Sequence, residues 1–437
     1  MNRFRELSTI RKMILINSLI MLIWWFAFNP GFYSTDSFGI VEMARSKTLT
    51  SESTAIWAIF VKFLSINGTH PEIATLFFSQ LLGFSVALFA RTLFTNRLVI
   101  WSAAILSITP LIGAMGITLW HDIPMTSGFL LAVSGYARMN QGEKYSKTLL
   151  LAGICLASFR YNGVPTLLIT FFALLFISKG QKKQIAVALA MTVTVLAAST
   201  LLNLKFTGPN PVQSVGYIDW MKYDLSCYAA KSNDEVFFER VFGNRFSSQD
   251  WTSKSACTWF NDSKAYRQDS SFINQKTAFA WFELLKKEPS FVFQMHLKRH
   301  LYLNPIPIYG LPKVPFIHTT IEIPGKDIEF WHPSVSEKLR VYPRIWNYFN
   351  YLFGFAGFWL IVIFVCAWWR KNSIYCFIGL LGLCLNTSLF IFAAIADARF
   401  SLFVLIAGQL LTLQIFLEST VSRWRRYKKV EFTEMIS

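Results

Sequence analysis

The sequence predicts an all-α polytopic membrane protein of about ten transmembrane helices, carrying a small extracytoplasmic mixed domain. Three observations predict it. Over 437 residues, 53% are hydrophobic and 15% charged, and the mean hydropathy of +0.39 lies outside the range of a soluble domain. Apolar stretches near the length needed to cross a ~30 Å hydrocarbon core recur along the chain. Lys and Arg gather in alternate connections, as expected of cytoplasmic loops.

The apolar stretches are 13–28, 73–90, 98–119, 123–137, 149–159, 164–177, 185–202, 348–369, 373–395 and 401–417. The first follows Arg3, Arg5, Arg11 and Lys12 and resembles a signal peptide, but Trp24-Trp25-Phe26 and Asn29-Pro30 offer no small-residue cleavage site. It reads as a retained signal anchor. The stretch 149–177 is split by Arg160-Tyr161-Asn162-Gly163, and each half is short for a crossing. Because Lys147 and Lys179 flank both ends, two short spans or a re-entrant hairpin return the chain to the cytoplasm.

This alternation places both termini and segments 91–97, 138–147, 179–183, 370–371 and 423–429 in the cytoplasm. Three parts follow: an N-terminal core (1–202), an extracytoplasmic loop domain (203–347) and C-terminal helices with a basic tail (348–437). The net charge of +17 therefore belongs largely to loops and tail, and implies no nucleic-acid partner. Within 31–72, residues 53–66 place Ile56, Trp57, Ile59, Phe60, Phe63 and Leu64 at helical spacing, an amphipathic helix lying in the interface. Segment 205–347 is too polar to span. Its Cys227 and Cys257 are the two cysteines outside the apolar segments, which predicts a disulfide, with two buried thiols as the competing reading. His296, Lys298, Arg299 and His300 read as a solvated helix face, with contact to lipid phosphate as the competing reading.

The alternation also brings Asp36, His121 with Asp122, Arg160, and Asp397 with Arg399 to one membrane face, each at the end of an apolar span. Ionisable side chains beside a bilayer are costly unless they face water, a partner or a site. The competing reading makes Asp36 and Asp122 helix caps and lets the arginines snorkel to the interface. The functional reading has Arg160 and Arg399 bind a phosphate, for which the planar guanidinium is suited.

The segments Pro30-Gly31-Phe32-Tyr33-Ser34-Thr35-Asp36-Ser37, Trp120-His121-Asp122-Ile123-Pro124, Phe159-Arg160-Tyr161-Asn162-Gly163 and Asp397-Ala398-Arg399-Phe400 resemble the GT-C superfamily of polytopic glycosyltransferases, which use polyprenyl-phosphate sugars. Size and layout are similar to bacterial and phage-encoded O-antigen glucosyltransferases. The resemblance covers the membrane core and leaves the long outer loop without a counterpart. It implies a hexosyltransferase of the bacterial inner membrane, acting in lipopolysaccharide synthesis on the extracytoplasmic side. The implied donor is a polyprenyl-phosphate-linked sugar, glucose being the first choice, and the acceptor a glycan or lipid-linked saccharide.

Asp36 is then the base that deprotonates the acceptor hydroxyl, with inversion at the anomeric carbon. Asp122, with His121, orients the acceptor or ligates a divalent metal ion. Arg160 and Arg399 neutralise the leaving phosphate, and Tyr161, Asn162 and Asp397 complete the substrate-binding set. A flippase or transporter of lipid-linked saccharides is the rival class, but its site is expected at the bilayer midplane. A polymerase of such saccharides shares the chemistry and is not separated by sequence.

Overall fold

The computed structural model describes residues 2–46, 53–93, 97–178, 180–207, 219–257, 263–267, 271–300, 303–304, 329–349, 354–370, 373–393 and 398–434. Among these the chain is helical, and its sheet-like pairing is an isolated bridge between Phe32 and Thr118. The first half contains α1 (Asn2–Ala27), α2 (Thr35–Arg45), α3 (Ala55–Leu64), α4 (Pro71–Leu93), α5 (Arg97–Ile108), α6 (Gly113–Gly116), α7 (Asp122–Asn140), α8 (Ser146–Ala157), α9 (Gly163–Ile177) and α10 (Lys182–Thr207). There follow α11 (Asp219–Ser232), α12 (Glu235–Phe242), α13 (Ser248–Trp251), α14 (Lys264–Arg267), α15 (Ser271–Lys287), α16 (Pro289–Arg299), α17 (Pro333–Leu339) and α18 (Val341–Trp346). The chain closes with α19 (Ala356–Arg370), α20 (Ser373–Phe392) and α21 (Leu402–Glu434).

Among the described residues, five helical segments are long and apolar enough to cross a membrane: Ile10–Ala27, Pro71–Leu93, Lys182–Phe206, Ser373–Phe392 and Arg399–Leu417. Ala55–Leu64, Ser146–Ala157, Gly163–Ile177 and Ala356–Arg370 are shorter apolar helices. Large apolar side chains such as Leu19, Ile23, Phe172, Phe176, Leu201 and Trp368 point outward from the bundle, as lipid-facing residues do.

Inside the bundle, small residues let helices approach closely. α7 lies against α8 where Gly128 meets Gly153, and a Cβ on Gly153 would stand 2.5 Å from the backbone nitrogen of Ala132. Such contact replaces the hydrophobic drive that lipid removes.

Two expectations are corrected. Residues 98–119 do not form one span, because α5 stops at Ile108 and the chain turns through Thr109-Pro110 before the single turn of α6. Pro110 has no N–H for the helical ladder, and its ring disfavours helix at the residue before it. The loop domain is not mixed, since its described residues are helical. Their separate core joins Trp220, Leu225, Phe237, Phe238, Phe242, Trp251, Ile273 and Leu284 from α11, α12, α13 and α15. The divided stretch 149–177 forms two helices, α8 and α9.

Candidate functional site

The site is assembled by tying the connection after α1 to the connection before α7. Gly31 has φ of +118°, and a Cβ there would meet Ile117 O at 2.4 Å, so the residue must be glycine. Phe32 N–H donates to Ile117 O at 3.2 Å, and Phe32 O accepts from Leu119 N–H at 3.3 Å. Thr75 Oγ1 from α4 donates to Pro30 O at 2.7 Å. Trp120 Nε1–H donates to Ser34 Oγ at 2.7 Å, locking the two connections side chain to side chain.

Ser34 also begins α2, its N–H bonded to Ser37 Oγ at 3.1 Å. Asp36 is therefore not the cap residue. It lies in the first turn, where the helix dipole favours a carboxylate, and Arg399 Nη2 donates to its Oδ2 at 2.6 Å. Asp36 remains 56% exposed while Arg399 is 13% exposed, so the acid faces solvent and the arginine does not.

Asp122 opens α7 and is 1% exposed. Arg160 Nη1 pairs with its Oδ1, and Arg399 Nε and His121 Nε2 stand 3.9 and 3.8 Å from its Oδ2. Arg399 thus bridges both carboxylates. The Arg160 guanidinium lies 4.0 Å from the centre of the Phe400 ring, while Arg399 lies 4.4 Å from Trp120 and 4.9 Å from Phe400. These cation–π contacts hold the two like charges at set positions, and neither arginine snorkels into solvent.

Two anchors aim Arg160. Thr54 Oγ1, at the start of α3, donates to Phe159 O at 2.9 Å, and Asn162 Nδ2 donates to Ser388 Oγ of α20 at 3.4 Å. Tyr161 turns its hydroxyl to Ser53 O at 3.1 Å. Arg399 is held through Ser401, two residues on, whose Oγ donates to Asn386 Oδ1 at 2.9 Å. The structure therefore gathers Asp36, His121, Asp122, Arg160 and Arg399, while the polar groups of Tyr161 and Asn162 engage the surrounding protein. Asp397 lies outside the described residues.

Trp120 and Phe400 were overlooked as site residues by sequence reasoning. Their adjacency to His121 and Arg399 was the available signal, but aromatic residues make up 16% of the chain.

Arg399 beside Asp36 holds that carboxyl below the ordinary carboxylate range. Burial, reinforced by Arg160, pushes His121 down to about 3 against the opposing pull of Asp36, so its imidazole is neutral. A neutral His121 can accept or donate one hydrogen bond. Two guanidiniums then face two carboxylates.

This surrounding does not favour the metal-ligand alternative for Asp122 and His121. Among the described residues no three His, Cys, Asp or Glu side chains group as ligands, and the two arginines on Asp122 oppose a second cation there.

No family model matches the chain, and no curated protein or solved structure is similar enough to count as a relative.

A second polar network lies in the separate helical core. Asp224 is fully buried, paired with Arg299 and accepting from Trp281 Nε1–H at 2.7 Å. His296 bridges the Asp224 carboxylate, 2.9 Å from Nε2, and the Phe390 carbonyl, 2.7 Å from Nδ1. His300 Nε2 lies 3.0 Å from Ala393 O. The expected solvated face at His296, Arg299 and His300 is thus corrected: all three are buried, His296 and His300 docking α16 onto the end of α20 while Arg299 holds α16 to α11 through Asp224. Close by, Cys227 and Cys257 form a disulfide with Cα atoms 4.8 Å apart.

Proposed function

We propose that this chain is a polytopic membrane glycosyltransferase of the GT-C kind, moving a sugar from a polyprenyl-phosphate donor to a glycan or lipid-linked acceptor outside the cytoplasm. Its roughly ten crossings are α1, α4, α5, α7, α8, α9, α10, α19, α20 and α21, and its membrane is the bacterial inner membrane. The observation that carries the reading is one exposed carboxylate, Asp36, sharing a half-buried guanidinium with a second, buried carboxylate. A base and a phosphate-binding cation are thereby adjacent.

In the proposed step the acceptor hydroxyl attacks the anomeric carbon and gives its proton to Asp36, while the bond between that carbon and the phosphate oxygen breaks. The electron pair of that bond leaves on the lipid-phosphate oxygen, where Arg399 and Arg160 meet the developing charge. Direct displacement inverts the anomeric centre. As held by Arg399, Asp36 is a weak base. A phosphate that draws Arg399 toward itself frees Asp36 and raises its basicity, so donor binding prepares the base. Asp122 keeps Arg160 and Arg399 in register for both partners.

The test incubates membranes containing the protein with labelled polyprenyl-phosphate hexoses, glucose first, and determines the structure of any new glycan. Transfer with inverted configuration is expected. Movement of the intact lipid-linked sugar across the bilayer without a new glycosidic bond would replace the enzyme with a transporter.

A further inference from the structure

We infer that α17 and α18 form an amphipathic element lying in the headgroup region of the bilayer, with lipid as its partner. The two helices run almost continuously, since Arg340 N–H donates to Ser336 O at 2.9 Å and Arg344 N–H to Arg340 O at 3.1 Å. Along this run Val335, Leu339, Tyr342, Ile345 and Phe349 recur at helical spacing, each 44–50% exposed. Glu337, Arg340 and Arg344 occupy the opposite side, where both arginines pair with Glu337. The third side is fastened to the protein: Ser336 Oγ donates to Ala27 O at 2.9 Å, and Pro343 is buried.

Lipid is favoured because the exposed stripe continues an existing lipid-facing surface. Tyr342 stacks on Trp24 of α1 at 5.9 Å, Trp331 meets Trp25 edge-on at 5.9 Å, and His332 lies 6.3 Å from Phe26. On α1 itself Leu19, Ile23 and Phe26 are 56–60% exposed, and α1 is long and apolar enough to cross. A helix fixed to the end of a membrane span, with aromatic and aliphatic residues outward and ion-paired charges opposite, suits the boundary between headgroups and acyl chains. Trp331 N–H also donates to Asn29 O at 3.0 Å, at the entrance to the connection bearing Asp36. The element thereby sets the depth of that connection. It requires only that α1 crosses a bilayer, whatever reaction the site performs.

The test uses spin labels on single-cysteine variants in lipid nanodiscs, with Cys155, Cys366, Cys376 and Cys384 replaced and the Cys227–Cys257 disulfide kept. Labels at Val335→Cys, Leu339→Cys and Phe349→Cys are expected to be relaxed by oxygen and shielded from a water-soluble nickel chelate. Glu337→Cys and Arg344→Cys should show the reverse. Nickel access to the first group would make the stripe a solvated face, and shielding from both reagents would make it a contact with a second copy or another protein. Either result overturns the inference. As a check on unmodified protein, a carbene-generating group high on a lipid acyl chain should label 333–349, and absence of adducts there would also overturn it.

Discussion

At the scale of single residues, the site depends on Arg399 being shared between an exposed and a buried carboxylate. Asp36→Asn keeps the shape but accepts no proton, and transfer at matched protein level is expected to fall roughly 10²- to 10⁴-fold. Near-normal transfer would remove Asp36 from the mechanism. Arg399 gives a second test through pH. Since Arg399 lowers the Asp36 carboxyl, the ionised form persists to unusually low pH, and the stability linked to this pair is present above the ordinary carboxylate value and lost as pH falls through the lowered one. Arg399→Gln lets the carboxyl rise toward its ordinary value, so the acid limb of the kcat/KM profile should move to higher pH while overall transfer weakens. An unmoved limb would mean that another group controls it. The five ionisable positions were readable in the sequence because ionisable residues at the ends of apolar spans are costly and therefore conspicuous. Trp120 and Phe400 were not, because an aromatic ring in an aromatic-rich membrane protein carries no mark of what lies against its face.

At the scale of elements, the connections hold the cluster while the long helices supply the frame. Hydropathy found most of that frame, but an averaging window passes over Thr109-Pro110 and merges α5 with the turn beyond it. The separate core of α11 to α16 was hidden for a different reason: its apolar residues are spread over short helices broken by turn residues, so no long period emerges. Its buried charges looked like surface charges because sequence does not show that Asp224 and Arg299 meet. Their pairing carries its own expectation. Asp224→Ala leaves the Arg299 guanidinium buried without its carboxylate, which costs about 3–5 kcal/mol for such a group. Limited proteolysis of detergent-solubilised protein should then cut within 219–299 at a lower temperature than in wild type, while the membrane helices remain protected. Unchanged resistance would show that the pair adds little to this core.

At the scale of the whole molecule, the clustering of charges at one end of the bundle has functional meaning only if that end is outside the cytoplasm. The charge pattern of the loops gives one sidedness and the structure gives exposed positions from which to read it. Ser34 and Gly163 are buried and would resist labelling on either side, so they are poor reporters. Tyr161, beside Arg160, is 49% exposed, and Val236 in α12 is 77% exposed. Tyr145, between α7 and α8, is 71% exposed at the opposite end, and Lys182 begins α10 exposed. Cysteines at Tyr161 and Val236 are expected to react with an impermeant maleimide in intact spheroplasts, and those at Tyr145 and Lys182 only after permeabilisation. The separation must hold across all four positions, because α8 and α9 are short for full crossings and the outward placement of Arg160 depends on their both traversing or dipping as a pair. Labelling of Tyr145→Cys in intact spheroplasts would invert the molecule, put Asp36 and both arginines in the cytoplasm, and remove the ground for an extracytoplasmic transfer. Labelling of Val236→Cys with protection of Tyr161→Cys would keep α12 outside but seal the arginine from the aqueous face. That outcome would favour a buried binding site over surface chemistry.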